Sequence, residues 1–170
     1  MIMKQTLILL ITLSLILALT SCGHEAAVED ILSAMCDSQP PLPAGQMYQS
    51  AAEAGEDGFA DEELLAVLFG GGSLPVEFEV ISDFSFRLST GETPHEFAVF
   101  RCLSSRDAYD VAQMCLRRGD LLRRGHIETE WEAVTQEAQV TVCGKYVMWA
   151  VGEDVPSALE AARRAIGGRR

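Results

Sequence analysis

The sequence has few histidines and lacks the motifs that most often mark a hydrolytic site. It contains three histidines in 170 residues, and none lies in a Gly-x-Ser-x-Gly or His-Glu-x-x-His motif. A hydrolase of the common kinds needs a nucleophile with a base within hydrogen-bonding reach, and isolated histidines are weak indicators of such a pair. We therefore expect structural or solvent-exposed roles for His24, His95 and His126, and the sequence predicts no catalytic residue.

Positive charge is scarce. The chain has 13 lysines and arginines against 25 aspartates and glutamates, which gives a formal net charge of −12. Binding to nucleic acid requires an excess of cations to neutralise phosphates, so the composition argues against a nucleic-acid partner. The same negative field also keeps the folded part away from anionic lipid headgroups.

Cys-x-x-Cys spacing is absent, which argues against a zinc knuckle or a thioredoxin-type redox site. An EF-hand calcium loop is not indicated either, because Glu53, Glu56 and Asp57 lack its alternating spacing. We interpret these acids as part of a solvent-exposed loop. Gly70–Gly72 is not followed by Lys-Ser or Lys-Thr and so does not form a phosphate-binding loop. No metal or cofactor site is predicted.

Four cysteines lie beyond the N-terminal region, and either disulfides or buried free thiols are compatible with their spacing. For Cys102 and Cys115 a geometric argument favours free thiols. A helix that follows the strand of Cys102 and folds back over it carries Cys115 about 15 Å along. Cys115 then lies near Phe97 or Ala98, beyond the ~7 Å Cα separation that a disulfide allows. Cys36 and Cys143 are not constrained in this way.

Long apolar runs are also rare, and the one from Thr6 to Leu19 stands out. It follows a single cation, Lys4, and has the length of a secretory signal, whereas a membrane-spanning helix needs about 20 residues. An uncleaved anchor is the alternative. The next residues, Leu19-Thr20-Ser21-Cys22, resemble the lipobox of bacterial lipoproteins. This resemblance implies that residues 1–21 are a signal peptide, that Cys22 is lipidated, and that residues 22–27 tether the protein to the extracytoplasmic face of the cell membrane.

The rest of the chain predicts one α+β domain over residues 28–170. Apolar residues recur with helical spacing from Val28, from Leu64, after Ser104 and after Asp154. They alternate in residues 76–80, 84–88 and 138–142, and they fill both faces in residues 95–103 and 146–151. This order favours a two-layer sandwich with a mainly antiparallel sheet of about five strands. The acidic segment at about 37–60 is predicted to be a surface loop.

Three short motifs occur in this framework: Asp61-Glu62-Glu63-Leu64-Leu65, Pro94-His95-Glu96-Phe97-Ala98-Val99-Phe100, and Cys143-Gly144-Lys145-Tyr146-Val147. Together with a serine-capped, arginine-bearing helix they are similar to a family of small lipoproteins from Gram-positive, clostridial-type bacteria that carry a domain of unknown function. The similarity covers most of residues 28–167. It implies a lipoprotein on the outer face of the membrane and supplies no catalytic residues.

One dense basic cluster interrupts the acidic sequence, and its members are Arg117, Arg118, Arg123 and Arg124. It is a candidate interaction patch for an anionic wall polymer, lipid headgroups or an acidic partner. The alternative is the solvated face of a helix whose C-terminal cations suit its dipole. We expect Glu96, at the head of an inner strand, to pair with an arginine, because a lone carboxylate has no partner for acid–base chemistry.

These observations favour a non-catalytic binding domain of the cell envelope, anchored to the membrane through Cys22, with an envelope protein or surface component as its partner. An envelope enzyme acting on wall or lipid substrates and a small solute-binding lipoprotein are the alternatives. A pocket of converging polar groups would favour the alternatives. An exposed apolar or arginine-rimmed surface would favour the binding domain.

Overall fold

The computed structural model describes residues 25–91 and 93–168. The predicted signal peptide, the predicted lipidation site Cys22, and His24 lie outside the described residues. Within them the chain forms five α-helices: α1 (Val28–Asp37), α2 (Glu62–Gly70), α3 (Asp107–Gly125), α4 (Glu132–Gln136) and α5 (Val155–Gly167). The strands are β1 (Gly45–Gln49), β2 (Ile81–Ser89), β3 (Glu96–Cys102), β4 (Gln139–Cys143) and β5 (Tyr146–Val151).

The strands form one antiparallel sheet in the order β1-β2-β3-β5-β4. The prediction of an α+β sandwich built on a mainly antiparallel sheet of five strands is thus confirmed. The two segments that are apolar on both faces, β3 and β5, occupy inner positions beside each other. Ala98 of β3 pairs with Trp149 of β5, and Phe100 pairs with Val147.

Helices cover both faces of the sheet, so the molecule has three layers, where the sequence predicted two. Phe100 and Trp149 point toward α2 and α3 and belong to one hydrophobic core. Phe97 and Met148 point to the opposite face and pack with α1 and α5 in a second core. All four side chains are buried. Successive side chains of each inner strand therefore point into opposite cores, which is why these strands are apolar at nearly every position.

The segment Val76–Val80 is a short 3₁₀ helix, so its prediction as a strand is wrong. The N–H of Phe78 donates to the carbonyl of Pro75 at 3.1 Å, which closes a tight turn directly after the proline. The alternation of Val76, Phe78 and Val80 spans only five residues, and so short a pattern cannot separate a strand from a turn. Phe78 and Val80 pack against the core beneath α2 and α3, whereas Val76 is exposed. The strand begins afterwards, at Ile81.

A strand that the sequence did not predict, β1, lies inside the segment that we interpreted as an acidic loop. Met47 packs with the α1 and α5 core, whereas Tyr48 stacks on Phe86 in the other core with ring centroids 4.9 Å apart. The strand is at the sheet edge and has two glutamines and a glycine among its five residues. It therefore lacks the apolar alternation on which strand prediction depends.

The predicted helix boundaries are largely confirmed. The Asp61 carboxylate accepts from the N–H of Leu64 at 2.7 Å, and that of Asp154 accepts from the N–H of Ser157 at 3.2 Å. Before α3, the Ser104 hydroxyl accepts from the N–H of Asp107 and donates to its carboxylate. The segment between α3 and β4, where we expected at most a helical turn, contains α4. Across the described part of the chain, no helix has both the length and the apolar character to cross a bilayer.

Candidate interaction groove

The four arginines of the predicted patch lie in the last three turns of α3, but they do not share the same surroundings. In a helix, residues 100° apart in projection face different neighbours, whereas residues i, i+3, i+4 and i+7 share a face. Arg117 and Arg124 are therefore on one face together with Asp120 and Leu121, and these four residues line a common groove. Arg118 and Arg123 leave that face, so the four arginines do not act as one patch.

The groove, which we call the α2–α3 groove, is about 490 Å³ in volume. Its opposite wall consists of the end of α2 and the turn that leads into the 3₁₀ helix, including Phe69, Leu74, Pro75 and Val76. Val76 is 75% exposed, Leu74 40% and Leu121 37%. The groove is thus an open, mainly apolar surface with two guanidinium groups on one wall.

Three glycines at the end of α2 determine the course of the chain in the wall opposite α3. Gly71 ends α2 in the left-handed region with φ 64°, and the N–H of Gly72 donates to the carbonyl of Ala66 at 3.0 Å. A Cβ on Gly70 would approach the Pro75 ring to 3.0 Å, so a side chain at this position would push the turn a few tenths of an ångström away from the end of the helix. The glycine run that has no phosphate-binding signature thus serves to place Leu74 and Val76 beside α3.

Arg118 points inward and pairs with Glu96, as expected for that carboxylate. Its Nε lies 3.1 Å from Oε2 of Glu96, and its Nη2 donates to Oε1, so the contact is bidentate. The side chains are only 15% and 9% exposed. Trp149 Nε1 lies 3.5 Å from Oε2 of the same carboxylate. Glu96 therefore ties α3 to the two central strands and has a structural role.

This pair forms one side of a second cleft, about 360 Å³ in volume, which is polar. Ser89 and Thr93 also line it, and their hydroxyl oxygens are 2.5 Å apart. His126 lies at its edge. Most of the polar groups here bond to one another, so the cleft holds few unpaired donors or acceptors for a ligand.

His95 is buried, 3% exposed, and directly precedes β3. Its ring lies edge-on to that of Trp131, with centroids 5.8 Å apart, beside a small cavity of about 90 Å³ that the Pro40–Pro43 loop closes. Burial lowers the pKa of the imidazole, an effect that Glu153 opposes and Arg87 reinforces. Nδ1 has no hydrogen-bond partner among the described residues.

The four cysteines in the described part of the chain are free thiols. Cys102 and Cys115 are both buried in the core beneath α2 and α3, and neither forms a disulfide, which agrees with their prediction as reduced thiols. Burial raises the pKa of Cys36 and of Cys102 to about 11, and it raises that of Cys115 further. The acidic residues Glu53, Glu56 and Asp57 are exposed, and the Glu56 carboxylate accepts from the N–H of Glu53.

Comparison of the chain with protein-family models, with curated proteins and with solved structures gives no match.

Proposed function

We propose that the protein is a membrane-anchored extracytoplasmic lipoprotein whose folded domain binds a partner in the cell envelope without catalysing a reaction. The lipobox-like tetrad ending at Cys22 supports the anchor, and the similarity to small lipoproteins of clostridial-type bacteria supports the same location. Two acyl chains on one N-terminal cysteine supply a stable attachment, because each buried methylene contributes about 0.8 kcal/mol.

The observation that carries the binding function is the α2–α3 groove. Contiguous exposed apolar side chains are uncommon on monomeric proteins, and where they occur they usually mark an interaction site. Here Leu74, Val76 and Leu121 come from two segments that meet across the groove. At about 490 Å³ the groove is larger than the polar cleft beside Glu96, which is about 360 Å³, and its walls are mainly apolar.

The anchor is tested by metabolic labelling with a fatty-acid analogue. We expect the wild-type chain to incorporate the label and to fractionate with membranes. The Cys22→Ala variant should incorporate none and should keep residues 1–21, because the lipoprotein peptidase requires the modified cysteine. Undiminished labelling of Cys22→Ala contradicts the anchor.

The binding function is tested by photocrosslinking in intact cells. A photoreactive phenylalanine analogue is placed at Leu121, in the groove, and in a matched strain at Glu160, which is exposed on α5 on the opposite face of the sheet. We expect a defined crosslinked species from position 121 that is absent at position 160. Equal products at both positions, or none at position 121, contradict the proposal.

A further inference from the structure

Most charged side chains in and around the α2–α3 groove form salt bridges, and Arg124 is the exception among the described residues. Arg117 Nη2 lies 2.5 Å from Oε1 of Glu77, and Arg123 Nη1 lies 2.9 Å from Oδ1 of Asp120. Arg124 forms no salt bridge with any residue of 25–91 or 93–168. The charge that remains available to a ligand is therefore positive. Arg117 adds to it, because its side chain is half-exposed and a guanidinium has donors to spare beyond the bond to Glu77.

The shape of the groove selects among apolar ligands. A small molecule or single acyl chain in a typical site is 70–90% buried by the walls around it. Val76 and Leu74 instead project from the rim and remain substantially exposed. An open groove flanked by a helix, with apolar anchors at its rim, is the form that accepts an amphipathic helix from another protein.

A bilayer surface fits less well. It would present a plane of phosphates to every group on this face, and the carboxylates of Glu77 and Asp120 line the same groove as the arginines. A helix can place its acids opposite selected positions and avoid the two carboxylates. Because the groove contains both arginines and carboxylates, a helix with acids at selected positions fits it better than a uniformly anionic membrane surface.

We infer that the α2–α3 groove binds an amphipathic helix of a partner protein whose apolar ridge is flanked by acidic residues. Arg117 and Arg124 are seven residues apart on α3, which separates them by about 10.5 Å along the axis, with Leu121 between them. A helix lying along α3 matches this spacing when two of its acids are two turns apart and its apolar residues face Leu121 and Val76. The inference rests on the proposed function and specifies the class of partner.

The overall charge of the chain makes the site selective. At a net charge of −12, most of the surface repels an acidic helix, so docking is confined to the region near Arg124. Cationic helices should be drawn to other parts of the surface and not to this groove. Charge at the rim thus determines where and in which orientation the ligand binds, and apolar contact supplies the affinity.

The test uses the full lipidated chain in phosphatidylcholine nanodiscs and two labelled peptides of about 18 residues, long enough to form a helix. One peptide has leucines on one face with glutamates flanking them two turns apart, and the other has lysines at the glutamate positions. We expect the glutamate peptide to bind about tenfold more tightly, as two rim ion pairs allow. Arg124→Glu should abolish or reverse that preference, and Arg164→Glu, on α5, should leave it unchanged.

Equal binding of the two peptides to the wild-type chain, or an unchanged preference in Arg124→Glu, overturns the inference. Failure of both peptides to bind overturns it as well. Unfolding does not explain such results if circular dichroism shows the same thermal midpoint for both charge variants. If the peptides give a negative result while position 121 still crosslinks to a defined species in cells, the binding function stands and only the partner class is wrong. If crosslinking also fails, both are wrong.

Discussion

Arg118 and Glu96 form a bidentate ion pair between α3 and the first residue of β3, in a layer that solvent scarcely reaches. The pair joins the helix that carries one wall of the groove to the centre of the sheet. Because Trp149 also lies within reach of the carboxylate, one acidic side chain connects three elements. This contact therefore adds to the buried apolar side chains of α3 in fixing the position of the helix, and hence that of Arg117, Leu121 and Arg124.

We therefore predict that Arg118→Ala is strongly destabilising. Removing one partner of a buried pair leaves the other charge unpaired, and such changes cost about 3–5 kcal/mol. Urea denaturation of the purified chain measures the free energy of unfolding. Arg163→Ala is the matched control, because Arg163 and Glu160 form a solvent-exposed pair with atoms 3.7 Å apart. Such pairs contribute about 0–1 kcal/mol. A similar small loss in both variants would show that the buried pair does not hold α3.

The stability of the fold should depend on pH through His95. Its pKa in the folded chain is lowered below the usual 6.5 by burial. The unfolded chain therefore binds the proton more readily, and stability is fully present above about pH 6.5 and is lost as the pH falls toward the lowered value. We predict that the urea midpoint falls between about pH 7.5 and about pH 5.5, before most carboxylates titrate.

The variant His95→Phe keeps an aromatic ring against Trp131 and removes the titrating group. Its urea midpoint should vary less over the same pH range than that of the wild-type chain. His126, partly exposed at the end of α3, supplies a control variant, His126→Phe, that should retain the wild-type dependence. Identical pH profiles for His95→Phe and the wild type would contradict the prediction that protonation of His95 causes the loss of stability at low pH.

The cysteines should differ in reactivity according to burial. The thiolate is the reactive form, and the raised pKa values of Cys36, Cys102 and Cys115 leave little of it near neutral pH. We predict that iodoacetamide modifies the partly exposed Cys143 first and leaves Cys115 unmodified until urea unfolds the chain. Peptide mass mapping measures each site. A non-reduced peptide pair joining Cys102 to Cys115, or rapid modification of Cys115 in the folded chain, would refute their placement as buried free thiols.

The fold was predictable from sequence where the hydrophobic pattern was long. The inner strands and the caps Asp61 and Asp154 follow from periodicity and local hydrogen bonding, and the structure has them as expected. Short segments were not predictable. Val76–Val80 imitates a strand over five residues, and β1 is an edge strand whose two apolar residues, Met47 and Tyr48, enter different cores.

The site was predictable only in part. The sequence pointed to a basic cluster on α3 and to an arginine partner for Glu96, but it did not show that Arg118 is that partner. Nor did it show that Glu77 would reach across to Arg117, because a contact between residues 40 positions apart depends on how the 3₁₀ turn packs. The helical spacing of Arg117, Leu121 and Arg124 was the available signal for the groove.

The accessibility of Val76 in native membranes tests the binding function most directly. Val76 is 75% exposed in the isolated chain, so Val76→Cys should react rapidly with a membrane-impermeant maleimide after purification. If a partner occupies the groove in cells, the same cysteine should react several-fold more slowly there, whereas Glu160→Cys on the opposite face should react equally in both preparations. Peptide mapping separates these sites from the native cysteines. Equal reactivity of Val76→Cys in native membranes and in the purified chain would contradict an occupied groove and the function proposed from it.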